Sequence, residues 1–318
     1  MKYYFAPLEG VTGYIYRNAH NKYFSKVDKY FMPFISPTKN EGFTSREKND
    51  IIPSHNENIN VVPQILTNNS EYFIKTAKEL ESLGYKEVNL NLGCPSGTVV
   101  AKGKGSGFLI YKEELNKFLE EIFKEVTIKI SIKTRIGKDD PKELYELIKI
   151  FNKYPLEELI IHPRVQKDFY KNTPNVEVFK DALKLSKNPV CYNGDIFNVR
   201  DFKRIMEECP TLERIMFGRG LIANPALIDE IEDNKVAEKE TLKAFCDEVY
   251  KGYKDILSGD KNVLFKMKEF WFYMINVFEH NEKYAKKIKK SKTLQEYDSI
   301  VNGIFKELDI ASDDVRGF

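Results

Sequence analysis

The residue of this sequence best suited to chemistry is a cysteine in a turn. Cys94 lies in the segment NLGCPSG at residues 91–97, directly after an apolar segment of β type. A lone cysteine often only fills apolar space, but a thiol held between glycine and proline after a strand is placed to meet a ligand. Gly103, Gly105 and Gly107 follow without the spacing of a phosphate-binding loop, so we predict a mobile lid there.

Polar residues also end other β-type segments. Lys133 and His162 each end one, and a lysine that points into a protein needs an anionic partner. Glycine-bearing turns at 193–194 and 218–219 follow two later segments, where backbone N–H groups and Arg219 could hold a phosphate. Together these residues predict a bound flavin mononucleotide (FMN), with Lys133 beside its reduced ring and Gln64 at the ring edge.

Eight β-type segments alternate with amphipathic helices at intervals of about one βα unit. The predicted strands are Lys2–Pro7, Asp28–Pro33, Asn60–Leu66, Glu87–Leu92, Ile128–Arg135, Glu158–His162, Pro189–Asn193 and Arg214–Gly218. The predicted helices among them are Gly13–Phe24, Ser70–Leu83, Lys112–Lys124, Pro141–Tyr154, Val176–Ser186 and Val199–Glu208. This pattern predicts an α/β fold, a closed (β/α)8 TIM barrel, with an open doubly wound sheet as the alternative. In a barrel the carboxyl ends of the strands share one face, which would bring the polar residues together.

Only helical patterns follow Pro225. They are Lys239–Leu257, Lys261–Phe278, Asn281–Lys290 and Leu294–Leu308. We therefore predict a barrel domain over residues 1–234 and a small all-helical domain over residues 235–318. Six lysines crowd into residues 283–292, which is typical of a solvated helix face but is also the densest local cluster of positive charge.

Composition restricts the class of protein. The chain has 318 residues with 42% hydrophobic and 13% aromatic positions, which excludes a disordered or fibrous protein. Lys+Arg 50 against Asp+Glu 48 leaves a net charge of +2, so any affinity for nucleic acid must come from a local patch. The four cysteines show no metal-ligand or disulfide spacing, and no apolar run is long enough to span a membrane. We expect a cytoplasmic, reduced protein without bound metal, and a monomer.

The order of the motifs resembles that of the tRNA-dihydrouridine synthase family along nearly the whole chain. The matching segments are APLEGVT at residues 6–12, NLGCP at 91–95, KTR at 133–135, HPR at 162–164, NGDI at 193–196 and GRG at 218–220. Two positions depart from the family pattern. Pro163 stands where the family often has glycine, and KMKE at 266–269 stands where its helical domain often has Met-Arg-Lys-His.

The resemblance implies an FMN- and NADPH-dependent oxidoreductase that reduces the C5–C6 double bond of uridines in tRNA to 5,6-dihydrouridine. Hydride would come from reduced FMN and a proton from Cys94, because a flavin delivers only the hydride. The implied cofactor-binding residues are Pro7, Leu8, Glu9, Gln64, Lys133, His162, Asn193, Gly194, Asp195, Gly218 and Arg219. The implied substrate-binding residues are Asn91, Arg135, Arg164, Lys286 and Lys287.

Two other functions stay open at this stage. Dihydroorotate dehydrogenases also resemble a flavin barrel with an asparagine and a Cys-Pro segment, but they act on a small free pyrimidine. The lysine-rich helical region, which such an enzyme does not need, argues against them. A barrel that binds RNA without turnover is the other alternative, and the intact Cys94, Lys133 and His162 argue against it.

Overall fold

The strands of the protein form one parallel sheet. The computed structural model describes residues 1–24, 26–39 and 42–312. The strands are β1 (Lys2–Phe5), β2 (Lys29–Phe31), β3 (Val61–Val62), β4 (Gln64–Ile65), β5 (Glu87–Leu92), β6 (Lys129–Gly137), β7 (Leu159–Val165), β8 (Val190–Tyr192) and β9 (Arg214–Phe217). Their order in the sheet is β3-β2-β1-β9-β8-β7-β6-β5-β4. The parallel strands and intervening helices confirm the predicted α/β architecture.

The two end strands of the sheet are consecutive in the chain, separated only by Pro63. β3 pairs with β2, and β4 pairs with β5, so the sheet closes on itself. The Pro63 carbonyl still accepts a hydrogen bond from the Asn89 backbone N–H at 2.8 Å. The predicted strand Asn60–Leu66 is thus one strand divided at a residue that has no N–H to donate. This closure is that of an eight-stranded TIM barrel, as predicted.

Helices alternate with the strands along the chain. They are α1 (Tyr14–Tyr23), α2 (Ser45–Ile51), α3 (Ser70–Ser82), α4 (Gly97–Val100), α5 (Lys112–Glu125), α6 (Glu143–Phe151), α7 (Val176–Leu185), α8 (Val199–Glu208), α9 (Arg219–Ala223) and α10 (Leu227–Asp233). All residues of β5 and β7 are buried, as expected for parallel strands that are covered on both faces. α2 was not predicted, although Thr44 and Glu47 form a capping box at its start.

Four more helices complete the chain: α11 (Lys239–Ile256), α12 (Asp260–Met274), α13 (Glu282–Lys290) and α14 (Leu294–Glu307). By its internal contacts the chain divides into two compact units. The first unit comprises residues 1–7, 28–194 and 208–216, and the second comprises 8–27, 195–207 and 217–318. The predicted helix Lys261–Phe278 is shorter than expected, because residues 275–277 tighten into a 3-10 turn.

The core of the second unit joins α1 to the C-terminal helices. The Tyr16 and Phe245 rings meet edge to face at 5.6 Å, and the Trp271 indole N–H donates to the Tyr297 hydroxyl at 2.8 Å. A Cβ at Gly252 would lie 2.6 Å from Ile15, so α1 and α11 approach closely at that glycine. Among the described residues, no helix has the length and apolar character needed to cross a membrane.

Candidate active site

A chain of buried amides runs across the carboxyl half of the barrel in the first unit. Asn91 Nδ2 donates to Gln64 Oε1 at 2.7 Å, and Gln64 Nε2 donates to Asn89 Oδ1 at 2.8 Å. Asn89 Nδ2 in turn donates to Ser131 Oγ at 2.9 Å. Alternation along β5 places Asn89 and Asn91 on the same face of the sheet. Each amide therefore has a fixed orientation, set by its neighbour.

The amide chain ends on the turn that carries the thiol. Asn91 Oδ1 accepts hydrogen bonds from the backbone N–H groups of Gly93 at 3.0 Å and Cys94 at 2.9 Å. Both lone pairs of this oxygen are occupied, which leaves Asn91 one unused Nδ2–H to offer a ligand. Of the four cysteines only Cys94 is not buried. The structure thus holds one accessible thiol at a strand end, positioned by a side chain of the preceding strand.

The glycine-rich segment packs against Cys94. Ser106 donates to the Cys94 carbonyl from its backbone nitrogen at 3.1 Å and from its hydroxyl at 2.7 Å. Gly105 has φ +56°, and a Cβ there would lie 2.8 Å from that same carbonyl oxygen. The 3-10 helix Gly105–Ile110 is buried over residues 105–109. Gly105 thus allows this segment to pack closely against Cys94, and the mobile lid stays a prediction.

Arg135 of β6 holds the turn at Gly93 and Cys94 by hydrogen bonds. Its Nε donates to the Gly93 carbonyl at 3.0 Å, while Nη1 and Nη2 donate to the carbonyls of Val165 at 2.9 Å and Phe169 at 2.7 Å. The Tyr170 ring centroid lies 5.5 Å from the guanidinium carbon. Burial lowers the pKa of Arg135, and the neighbouring phenol opposes that shift. A buried guanidinium with three carbonyl acceptors fixes the turn after β5 to the loop after β7.

His162, a predicted cofactor-binding residue, contacts Arg164, a predicted substrate-binding residue. Arg164 Nη1 lies 2.9 Å from His162 Nε2, and Arg164 Nε donates to the Asn172 carbonyl at 2.5 Å. A guanidinium can only donate, so His162 Nε2 accepts and the ring proton resides on Nδ1. The Tyr170 ring lies beside the imidazole at a tilt of 30°, with centroids 6.0 Å apart. Tyr170 thus borders both His162 and Arg135, a role that the sequence pattern did not reveal.

Lys133 reaches the same strand ends without an anionic partner among the described residues. It pairs in register with Asn91 of β5 and Ile160 of β7. Burial, with a smaller contribution from Arg135, lowers the pKa of Lys133 from 10.5 to about 8. A lysine in this position fits an anionic ligand, because a nearby negative charge would offset the loss of water. An anionic cofactor group is thus compatible with the residues present.

The remaining predicted cofactor residues in the first unit lie on or beside strands. Asn193 Nδ2 donates to the Met216 carbonyl at 2.8 Å, which links the end of β8 to β9. A Cβ at Gly194 would lie 2.2 Å from the Tyr192 hydroxyl, so only glycine fits there. Pro7, which follows β1, is half-buried.

The second unit contains the other predicted cofactor residues. Arg219 Nη2 forms an ion pair with Asp195 at 2.8 Å, and the Phe197 ring lies 5.3 Å from its guanidinium carbon. Gly218 precedes Arg219 at the start of α9. The Leu8 backbone N–H donates to Thr12 Oγ1 at 2.8 Å, next to the exposed Glu9.

The predicted substrate lysines lie on α13 in the second unit. Lys286 and Lys287 are exposed, and the Lys287 ammonium lies 4.8 Å above the Tyr284 ring. No group of three or more potential metal ligands occurs among the described residues. The structure thus brings together Gln64, Asn91, Cys94, Lys133, Arg135, His162 and Arg164 in one unit, and it adds Asn89, Ser106, Ser131 and Tyr170.

The protein is thus an α/β TIM barrel that carries Cys94 and Lys133 at the ends of its strands. Residues 4–313 match the model of the family described as dihydrouridine synthase (Dus), and the chain belongs to that family. It is 26% identical over 243 residues to tRNA-dihydrouridine synthase B of Pasteurella multocida, covering 75% of this chain and 70% of the relative. It is 28% identical over 248 residues to a probable tRNA-dihydrouridine synthase of Staphylococcus aureus, covering 74% of this chain and 73% of the relative.

Solved structures share the fold at low sequence identity. The old yellow enzyme of Trypanosoma cruzi superposes with a TM-score of 0.55 at 9% identity, over 80% of this chain and 94% of that one. Morphinone reductase superposes with a TM-score of 0.51 at 13% identity, over 77% of this chain and 88% of that one. At this identity the likeness supports the barrel fold alone.

Proposed function

We propose that the protein reduces the C5–C6 double bond of specific uridines in tRNA to 5,6-dihydrouridine, with FMN as cofactor and NADPH as reductant. The observation that carries the proposal is the accessible Cys94 thiol, held by Asn91 in a chain of the dihydrouridine synthase family. The curated relatives named above are described as tRNA-dihydrouridine synthases. The fold, the family and the site chemistry therefore agree.

In this proposal Cys94 donates the proton to C5 of the uracil. The bound flavin supplies the hydride for C6. A cysteine thiol can act as a general acid when it is placed against the reacting carbon. Asn91, Arg135 and Ser106 hold the backbone of the turn that carries the thiol. Such positioning matters because misplacement of a reacting group by about 1 Å can slow a reaction about 100-fold.

Lys133 is the proposed partner of the anionic part of the flavin. Its amine has no acidic partner among the described residues, which supports this role. His162 is also assigned to the cofactor, with its Nε2 turned to Arg164, and Gln64 is held in one amide orientation. The proposal also assigns cofactor contacts to Pro7, Leu8, Glu9, Asn193, Gly194, Asp195, Gly218 and Arg219, which flank strand ends.

Substrate contacts are proposed for Asn91, Arg164 and Arg135. Asn91 retains one Nδ2–H, which suits a carbonyl oxygen of the uracil. Arg135 donates to three protein carbonyls, which supports a positioning role beside the predicted substrate contact. Residues 235–318 are the proposed RNA-binding domain, in which Lys286 and Lys287 would contact phosphates. We also propose that the protein acts as a cytoplasmic monomer.

An anaerobic half-reaction tests the proposal. The purified flavoprotein is reduced with NADPH, and unmodified tRNA or orotate is added in parallel while the absorbance of oxidised flavin is followed. Rapid reoxidation by tRNA alone is expected, and Cys94→Ala should abolish it while retaining flavin. Reoxidation by orotate alone would assign the protein to the small-pyrimidine enzymes. A preparation without flavin would overturn the roles of Lys133, His162 and Arg219 together.

A further inference from the structure

Two phenylalanines are conspicuous on the solvent face of α12. Phe265 is 61% exposed and Phe272 is 62% exposed, the two highest values among the large hydrophobic residues that the structure describes. They are seven residues apart, about two helical turns, so they share one side of the helix. The opposite side already supplies the core with Val263, Met267, Phe270 and Met274. The Phe272 ring meets the Tyr273 ring edge to face at 5.0 Å, and both phenylalanine side chains remain largely exposed to solvent.

The exposed rings flank a basic residue that joins α12 to the lysine-rich helix. Lys268 lies between Phe265 and Phe272 on the helix face, and its ammonium donates to the carbonyl of Ser291, which caps α13. Six lysines occur along α13 and just after its C-terminal cap, between residues 283 and 292, and all six are exposed. None of the six forms an ion pair with a described carboxylate. Aromatic rings and uncompensated positive charge thus occur on adjoining elements.

We propose that Phe265 and Phe272 form a stacking surface for unpaired bases of RNA, with the lysines of α13 holding the adjoining phosphates. We call this set of residues the α12–α13 surface. The inference rests on the proposed function, because it names how the RNA substrate is held. Stacking suits exposed phenylalanines since every base offers a π face, and lysines suit the backbone charge. A protein partner would not need this concentration of unpaired positive charge.

Tryptophan substitution gives a direct test of stacking. Phe265→Trp and Phe272→Trp each add one exposed indole to a chain whose single tryptophan, Trp271, is buried. Unmodified tRNA should quench the added fluorescence, because a base stacks on the ring. The matched control is Leu185→Trp, at a residue of α7 that is 49% exposed in the other unit, and tRNA should not quench it. Equal quenching in the control and in both test variants would overturn the proposal.

Binding measurements separate the roles of rings and lysines. With fluorescently labelled tRNA, Phe265→Ala/Phe272→Ala should weaken binding at least about fivefold and leave the salt dependence of the dissociation constant unchanged. Lys286→Gln/Lys287→Gln should weaken binding and reduce that salt dependence by roughly two counterions. Leu185→Ala is the control and should bind like the parent protein. Normal tRNA affinity of the phenylalanine variant would contradict the proposal.

One further outcome would assign the surface to self-association. If sedimentation shows that the parent protein self-associates and Phe265→Ala/Phe272→Ala is monomeric with unchanged RNA affinity, the surface is a contact between copies and the proposal fails.

The anaerobic half-reaction distinguishes failure of the stacking surface from failure of the proposed function. Reoxidation of the parent flavin by tRNA, together with normal binding by the phenylalanine variant, would refute only the stacking surface. RNA binding that depends on the rings, without any reoxidation, would refute only the reductase.

Discussion

The side-chain oxygen of Asn91 lies 2.9 Å from the backbone nitrogen of Cys94 and accepts its hydrogen bond. The same oxygen accepts the N–H of Gly93 at 3.0 Å. Because Asn91 belongs to β5, the position of the thiol is set by a strand rather than by the turn that carries it. The sequence pattern predicted Asn91 as a substrate contact; its structural role as the anchor of this turn emerges from the geometry.

Asn91→Ala should misplace the thiol without removing it. The change leaves two backbone N–H groups without their acceptor, which costs about 1–3 kcal/mol where these groups are buried. We expect turnover to fall about 10- to 100-fold, and the rate of Cys94 alkylation by iodoacetamide to change in parallel. Flavin content should stay near that of the parent. Parent-like turnover and alkylation would show that the anchor is dispensable.

Gly105→Ala should disturb the same cysteine from the opposite side. The added Cβ would lie 2.8 Å from the Cys94 carbonyl oxygen at a backbone φ of +56°, so both sterics and conformation oppose it. We expect turnover to fall more than about tenfold, and a loss of about 1–2 kcal/mol in unfolding free energy. The control is Gly97→Ala, where no heavy atom lies within 4 Å, and it should behave like the parent. Equal effects at both glycines would refute this explanation.

Lys133→Met should stabilise the protein when it is stripped of flavin. The pKa of Lys133 is about 8 in the folded chain against 10.5 when unperturbed, so below pH 8 folding buries a charged amine. Removing that charge should raise the unfolding free energy by about 1–3 kcal/mol at pH 7. Between pH 8 and 10.5 the unfolded chain binds the extra proton, so the parent gains stability as pH rises and the variant should not.

Urea titrations at pH 7 and pH 9.5 measure this difference. The same variant should bind FMN at least about tenfold more weakly, because the proposed anion loses its cation. The opposite result, a destabilised variant with normal flavin affinity, would mean that Lys133 supports the fold and not the cofactor.

Lys29→Met should weaken the barrel at the opposite ends of its strands. The Lys29 ammonium lies 2.7 Å from both Glu87 and Glu158, and all three side chains are largely buried. Its removal leaves Glu87 without its cation, whereas Glu158 keeps Arg214 Nε at 3.8 Å, and breaking such a buried pair costs roughly 3–5 kcal/mol. Burial already raises the pKa of Glu87, so the deficit should shrink as pH falls and the Glu87 carboxylate is protonated.

Thermal unfolding at pH 5 and pH 7 checks this prediction. Lys22→Met removes an exposed ion pair with Glu248 and serves as the control, with little expected change in the unfolding temperature. An equal loss in the two variants would show that burial of the Lys29 cluster does not matter.

Much of the barrel could be predicted from sequence because its signals are local. The predicted strand Glu87–Leu92 and the predicted helix Val199–Glu208 match the structure residue for residue. β6 and β7 extend two and three residues beyond their predicted ends, to Gly137 and Val165, because these two strands continue to pair with each other past Arg135 and His162. Pairing between strands is a tertiary effect that a single segment does not encode.

The sequence predicted several residues of the site but not the hydrogen bonds between them. Alternation and strand ends identified Lys133, since those signals lie within one strand, whereas the family resemblance implied Asn91. The link from Gln64 through Asn89 to Ser131 joins three strands, and the partner of each amide depends on register. The sequence analysis did not identify Asn89, although its spacing of two residues from Asn91 places both on one face of β5. The close contact between Gly105 and Cys94 could not be predicted from the sequence, because only the folded chain creates it.

The proline that divides the third barrel strand also bears on the precision of the thiol site. Pro63 has a restricted φ in the unfolded chain as well as in the barrel, so the residue before Gln64 gives up little backbone freedom on folding. Gln64 is the amide on which Asn91, and through it Cys94, is oriented. The barrel forgoes one donor in its hydrogen-bond ladder at Pro63. The restricted φ of Pro63 lowers the backbone entropy that is lost when the residue before Gln64 folds.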